Sequence, residues 1–270
     1  MLGRIAPKIH HGFKLIYSNF ALQKNRMIYI FRKEINAFFS SLMGYISVIV
    51  FLLVMGFFLW FYPDNNMLDD GYATMDKFFN LAPWVLLFLL PAITMRSFSD
   101  EFRSGTIEIL STLPLREKDI VLGKFFAAWL LVVFSILPTL LYVFSLASLS
   151  AIPDNLDTGG IIGSYIGLLF LCGAFTAVGL FCSTLTNNQV IAFLIAIFIN
   201  FILYSGFETL SRLEVFTGTL DYIISSIGME SHYRSISRGL IDTRDLVYFL
   251  SVIAIFILAS RFSLQKRKWA

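Results

Sequence analysis

The chain has 270 residues, of which 57% are hydrophobic, 16% aromatic and only 14% charged, with a mean hydropathy of +0.75. A soluble domain carries about 25% charged residues. Here the apolar residues also come in long blocks, so a soluble globular domain is excluded, no nucleic-acid partner is expected, and an all-α polytopic membrane protein is the fold class. The net charge of +3 matters less than its placement.

Residues 1–26 carry Arg4, Lys8, Lys14, Lys24 and Arg26 without a long apolar run. They read as a cytoplasmic N-terminal tail rather than a cleavable signal, and Met27 is an alternative start. Residues 27–268 then form one membrane domain. From Met27 to Ser41, the residues Ile28, Phe31, Ile35, Phe38, Phe39 and Leu42 recur at spacings of three and four, with Arg32, Lys33, Glu34 and Asn36 elsewhere. That pattern is an amphipathic helix suited to lying in the headgroup plane.

Spans of about 20 apolar residues follow at 42–62, 78–95, 124–149, 161–184, 189–207 and 246–261, six in all. Pro91 and Pro138 are expected to kink or loosen their helices. Cys172 and Cys182 share one span and read as buried thiols, with neither disulfide nor metal spacing around them. The fourth span opens with Gly159, Gly163 and Gly167, a small-residue ridge that lets another element approach closely.

With the amino terminus inside, the inner segments hold 16 of the 21 Lys and Arg residues, and 12 of the 18 acidic residues fall outside. The bias of Lys and Arg sets orientation. Both termini and the segment 96–119 are therefore expected in the cytoplasm. The segment 208–245 is expected outside, as short helices resting on or dipping into the outer leaflet, with Leu220, Ile223, Ile224 and Ile227 on one face.

The segment Arg96 to Asp119 is charged and turn-rich between two apolar spans. Thr106 caps a helix start after Gly105, and Pro114 stops that helix after Leu113. A short helix at 106–113, held by two spans, is a lever that a partner can push.

No span contains an acidic residue, a histidine or a mid-membrane basic residue. Such groups mark proton relays and ion-coupled carriers. Gly123-Lys124 lacks the upstream glycine of a phosphate-binding loop, since position 118 is Lys. No catalytic constellation and no metal site are expected on the chain. Two readings of the residues follow: one half of a pore driven from the cytoplasm by a partner, or a structural membrane anchor.

At Phe102-Arg-Ser-Gly-Thr-Ile-Glu-Ile-Leu-Ser-Thr-Leu-Pro, then Asp119-Ile-Val-Leu-Gly-Lys124, the sequence resembles the ABC-2 type transporter permeases. The positions that carry the likeness are Glu101, Gly105, Thr106, Glu108, Leu110, Pro114, Gly123 and Lys124. Within that family, Met27 to Ser41 look most like the gliding-motility-associated permease subunit of Bacteroidota. The permease of the nitrous-oxide-reductase maturation system is a close neighbour. The resemblance implies a permease with no active site of its own. It implies a pair of permeases, a second copy or a related subunit, above cytoplasmic ABC ATPases, in contact with membrane lipid in the cell's inner membrane. ATP and Mg would belong to the ATPase. Residues 106–113 would be the coupling helix seated in that ATPase, flanked by Glu101 and Arg103. Glu108 would contact the ATPase or complement the dipole of its own helix. Lys124 would snorkel at the inner interface.

Overall fold

Within lipid every backbone N–H and C=O has to be satisfied inside the protein, which leaves helices as the form available to these apolar blocks. The computed structural model describes residues 27–63, 65–69, 73–107, 116–150, 156–213, 219–239 and 242–268, and among these there is no strand. Helix α1 (Met27–Phe39) is followed by α2 (Leu42–Trp60), with a 67° bend between α1 and the Gly44–Trp60 part of α2. Serines hold the elbow: Ser40 Oγ donates to Ala37 O at 3.2 Å and Ser41 Oγ to Phe38 O at 2.9 Å. Next come α3 (Asp76–Thr94) and, after a break at Met95, α4 (Arg96–Arg103). The third block is α5 (Glu117–Ile136), a 3-10 turn at Leu137–Thr139, and α6 (Leu140–Leu149). Then follow α7 (Thr158–Leu185), α8 (Gln189–Phe201), a π turn at Ile202–Gly206 and α9 (Phe207–Ser211). The chain closes with α10 (Thr219–Ser225), α11 (Met229–Ser237) and α12 (Thr243–Lys268).

Among the described residues five runs are helices long and apolar enough to cross a membrane: Asp76–Arg103, Glu117–Leu149, Thr158–Leu185, Gln189–Ser211 and Thr243–Arg267. The bent pair α1–α2 is the sixth candidate. Several helices run past the expected spans, because their ends are charged in the sense that a helix terminus favours. Glu117 and Asp119 sit in the first turn of α5, and Lys266 and Arg267 at the end of α12. Pro91 lies inside α3, and the helix breaks four residues later, where Thr94 Oγ1 donates to Leu90 O at 2.8 Å. Pro138 lies in the 3-10 turn, where Thr139 Oγ1 donates to Ile136 O at 2.6 Å with Tyr165 Oη 3.1 Å away.

The axis of the bundle is α7. Residues 171–180 are buried on every side, which places this helix inside the others. Its small residues are where partners come close. A Cβ on Gly173 would stand 2.9 Å from Ile253 Cδ1 of α12, and one on Gly179 would overlap Thr94 Oγ1 of α3. Cys172 and Cys182 are free and buried.

The ridge of Gly163 and Gly167 meets α11, a nine-residue helix before the last span, rather than a spanning helix. A Cβ on Gly163 would lie 2.8 Å from Ile236 O, and one on Gly167 3.2 Å from Ile236 Cγ2. Gly159 lies in the first turn of α7 against Gly239, whose φ of +81° is the left-handed region that glycine tolerates. The α11 helix is fixed further by Tyr233 Oη donating to Phe79 O at 2.9 Å and Ser164 Oγ donating to Ser237 O at 3.1 Å. His232 stacks on Tyr248 of α12, with ring centroids 3.9 Å apart, and its Nδ1 lies 2.6 Å from Asp245 Oδ1.

The contact at Gly179 gives a direct test. Gly179→Ala should lower the thermal stability of the detergent-solubilised protein by about 1–3 kcal/mol through overpacking. Adding Thr94→Ala, which removes the overlapping hydroxyl, should restore most of the loss. A Gly179→Ala protein as stable as the parent would mean that α3 and α7 do not cross there.

Candidate functional site

The sequence motif Gly123-Lys124 lies near the start of α5, and each half has a separate physical role. A Cβ on Gly123 would stand 2.9 Å from both Cβ and Cγ2 of Ile30 and 3.2 Å from Met27 O, so glycine lets α1 lie directly on α5. Beneath this crossing, Ile30 joins Phe98, Val121, Phe125 and Leu180 in a compact apolar cluster. Next to it the Lys124 side chain turns inward and is only 3% exposed. It does not snorkel to the surface as expected, because two carboxylates are brought to it.

Lys124 Nζ lies 2.9 Å from Glu34 Oε1 on α1 and 2.9 Å from Glu101 Oε1 on α4. It donates also to Ser97 O at 2.6 Å, and it stands 5.0 Å from the centroid of the Phe98 ring. Three donors of one ammonium are thus matched to three oxygens. Lys33 adds a more exposed cation, 3.3 Å from Glu101 Oε1 and 3.8 Å from Glu34 Oε1. Glu101, 9% exposed, uses Oε1 for both lysines, and its Oε2 is buried without a hydrogen-bond partner among the described residues.

From this cluster α4 reaches the other helices. Ser99 Oγ donates to Ser183 O of α7 at 3.2 Å, and Asp100 Oδ1 accepts from Gln189 Nε2 at the start of α8. The Phe102 ring lies 4.3 Å below the Arg267 guanidinium at the end of α12. Arg267 in turn donates to Leu185 O at 2.7 Å and Asn187 Oδ1 at 2.6 Å. This eight-residue helix therefore touches α1, α5, α7, α8 and α12 through polar or cation–ring contacts.

The structure places four of the sequence-derived site residues together at the end of α4. Glu101 is in the buried cluster and Arg103 is exposed. Gly105 stops α4: its φ is +69° and its N–H donates to Phe102 O at 3.3 Å, the left-handed C-terminal stop that favours glycine. Thr106 Oγ1 is 2.9 Å from Ser104 Oγ and 3.4 Å from Glu101 O. Thr106 and Ile107 are helical, so Thr106 is already inside the helix rather than its cap as expected, and its hydroxyl turns back to the residues before it, whereas Glu108, Leu110 and Pro114 lie outside the described residues. Gly159, Gly163 and Gly167 belong to the opposite part of α7, against α11 and the turn after it. Sequence reasoning missed Glu34 and Lys33 as members of the site, since Glu34 is 90 residues from Lys124. Their signal was the acidic residue on the polar side of an amphipathic helix otherwise rich in Lys and Arg.

Among the described residues no group of three or more His, Cys, Asp or Glu is placed to hold a metal ion. The arrangement offers no nucleophile paired with a base. What it does is structural: it ties α4, which leads into the turn after it, to five other helices.

Replacing Lys124 by Met should cost about 3–5 kcal/mol, since the buried Glu101 and the partly buried Glu34 then keep only the more exposed Lys33 as a cation. Replacing the exposed Lys33 by Met should cost less than about 1 kcal/mol. Thermal unfolding of the two purified variants checks this, and equal losses would show that Lys124 is not the ion on which the cluster rests.

Residues 63–261 match the family model described as ABC-2 family transporter protein. No curated protein matches the chain. The matched region runs from the loop after α2 into α12 and takes in the α4 junction, and so the chain belongs to the ABC-2 family of transporter proteins, as a multi-pass membrane component.

Proposed function

We propose that the chain is the permease subunit of an ATP-binding cassette transporter, driven by a separate cytoplasmic ATPase that docks on the segment after α4. The observation that carries this reading is the buried Lys124 cluster with its extensions from α4. A push on residues 104–116 is delivered to α4, and α4 is tied to α1, α5, α7, α8 and α12. A rigid element with many partners transmits displacement, whereas a solvated loop would absorb it. The interruptions at Met95, at Leu137–Thr139 and at Ile202–Gly206 are where three of the spans can bend in response.

In this reading Glu101, Gly105 and Thr106 shape the base of the coupling segment. Arg103 is exposed beside it, and Glu108, Leu110 and Pro114 form its docking part. ATP and Mg are held by the ATPase. The orientation follows the Lys and Arg bias, with both termini and the α4 end in the cytoplasm of an inner-membrane protein. A second permease, identical or related, completes the pore. The likeness of residues 27–41 supports service in gliding motility, and a nitrous-oxide-reductase maturation system is the other branch that fits it.

The test is to purify a tagged full chain in mild detergent and identify its companions by mass spectrometry, with and without Glu108→Arg. An ATPase bearing a nucleotide-binding domain should accompany the parent and be lost from the variant, while both insert equally. Absence of an ATPase from both would move the structural-anchor reading ahead. An ATPase retained in the variant would remove Glu108 from the docking surface.

A further inference from the structure

The turn between α10 and α11 leaves a run of main-chain carbonyls past a helix end, and they need donors from elsewhere. Ser231 Oγ donates to Ser225 O at 2.7 Å and to Gly228 O at 3.0 Å, and Tyr248 Oη of α12 donates to Ile227 O. Ser226 O lies 2.9 Å from His232 Nε2. The other ring nitrogen, Nδ1, faces Asp245 Oδ1 at 2.6 Å, in the first turn of α12. One imidazole on α11 thus bridges the turn after α10 and the start of α12.

A neutral imidazole has one N–H and one bare nitrogen. A carbonyl oxygen only accepts, so the Ser226 contact needs a hydrogen on Nε2. An ionised carboxylate also only accepts, so the Asp245 contact needs a hydrogen on Nδ1. Neither neutral tautomer makes both bonds, and the imidazolium makes both. Two further observations favour the charged ring. Asp245 is buried, its Oδ2 has no hydrogen-bond partner, and His232 is the one cation paired with it among the described residues. A carboxylate so placed needs a positive charge beside it. The ring also stacks on Tyr248, with 3.9 Å between centroids and 20° between planes, and an aromatic face attracts a cation.

The remaining charges near α11 stand elsewhere. Glu230 and Arg234 are each two residues from His232, about 200° around the helix, and they pair with each other at 2.5 Å beside the Glu208–Arg212 pair of α9 and the residue after it. Arg238 and Arg244 are exposed. Helices α3 and α7 meet α11 through uncharged groups, Phe79 O, Ser164 and the glycine ridge. The groups that face the His232 ring are therefore Asp245, Tyr248 and Ser226 O.

We propose that His232 is a proton-operated clasp, which holds α11 and the turn before it to the start of α12 while its ring is an imidazolium and releases one of the two when the ring is neutral. The clasp is complete at pH values where the ring is protonated and Asp245 ionised. It loses a bond as pH rises through the range of about 5 to 8 in which histidine changes charge. The clasp does not rest on the ATPase reading, and the orientation of the chain decides only which compartment's pH it follows.

The experiment compares thermal unfolding midpoints of the full chain in detergent at pH 5.5 and pH 8 for the parent, His232→Gln and Asp245→Asn. Burial pushes the Glu230 carboxyl up from its ordinary range. Its charged form is thereby penalised in the folded state, which also lowers stability as pH rises, but that contribution is common to all three proteins. The amide of Asp245→Asn has an N–H to give to a bare Nδ1 while Nε2–H still serves Ser226 O, so this variant keeps the clasp without needing the proton. His232→Gln lacks the clasp at both pH values. The parent's midpoint should therefore fall between the two pH values by about 2–4 °C more than that of either variant, the size expected of one charge-assisted hydrogen bond. A fall in either folded variant as large as the parent's overturns the proposal. Should the variants fail to fold, nitrogen NMR of the histidine ring, with His10 and His11 replaced by Gln, reads the folded chain directly. Both ring nitrogens should carry hydrogen at pH 5.5, and a neutral tautomer there overturns the proposal equally.

Discussion

A lysine ammonium withdrawn from water costs several kcal/mol unless anions come with it, and at Lys124 this requirement organises one whole end of the molecule. The side chain is held by Glu34, Glu101 and Ser97 O, which belong to two helices outside its own. Neither carboxylate can leave without stranding a charge. So α1, which its amphipathic pattern alone would leave on the membrane surface, becomes a fixed wall of the bundle. Glycine at position 123 makes that geometry reachable, since any side chain there would hold Ile30, and α1 with it, away from α5.

The other constraint is the central helix. In lipid there is no hydrophobic drive between helices, so association relies on close packing and interhelical hydrogen bonds. Helix α7 has 28 residues, about 42 Å of rise. It meets these needs in sequence along its length: Gly163 and Gly167 against α11, Gly173 against α12, Gly179 against α3. Near one end Ser164 donates to Ser237 O, and near the other Ser183 O accepts from Ser99. One uninterrupted rod therefore joins the α11 clamp to the Lys124 end, while the breaks fall on the helices around it. Asn200, with both amide atoms buried and unpartnered among the described residues, lies two residues before the π turn of one such helix.

Much of this was legible from the chain. Apolar blocks of bilayer length announced the spans, since hydropathy reports the one property lipid demands. Spacings of three and four announced α1, whereas α4 and its stop at Gly105, with a φ of +69°, were not read from the sequence, which pointed only to a helix starting at Thr106. The depth of Lys124 was not legible. A lysine at the mouth of a span ordinarily snorkels, and nothing within a few residues of it says otherwise. The partner of the Gly163 ridge was also hidden, because a small-residue ridge specifies closeness without specifying what comes close.

These two failures have one cause. Both depend on pairings between distant parts of the chain, 90 residues apart for Glu34 and Lys124 and 73 for Ser164 and Ser237, and periodicity carries only local information. Composition nevertheless leaves a trace of each. A glycine immediately before a lysine at a span entrance means that backbone comes close there, and a close backbone excludes the water into which the lysine would snorkel. Once water is excluded, the ammonium has to find anions. The acidic residue nearest to hand on an amphipathic helix crossing at that glycine is Glu34. Read in that order, Gly123-Lys124 and Glu34 form a single structural statement, in which the glycine creates the dry contact and the ion pair makes it tolerable.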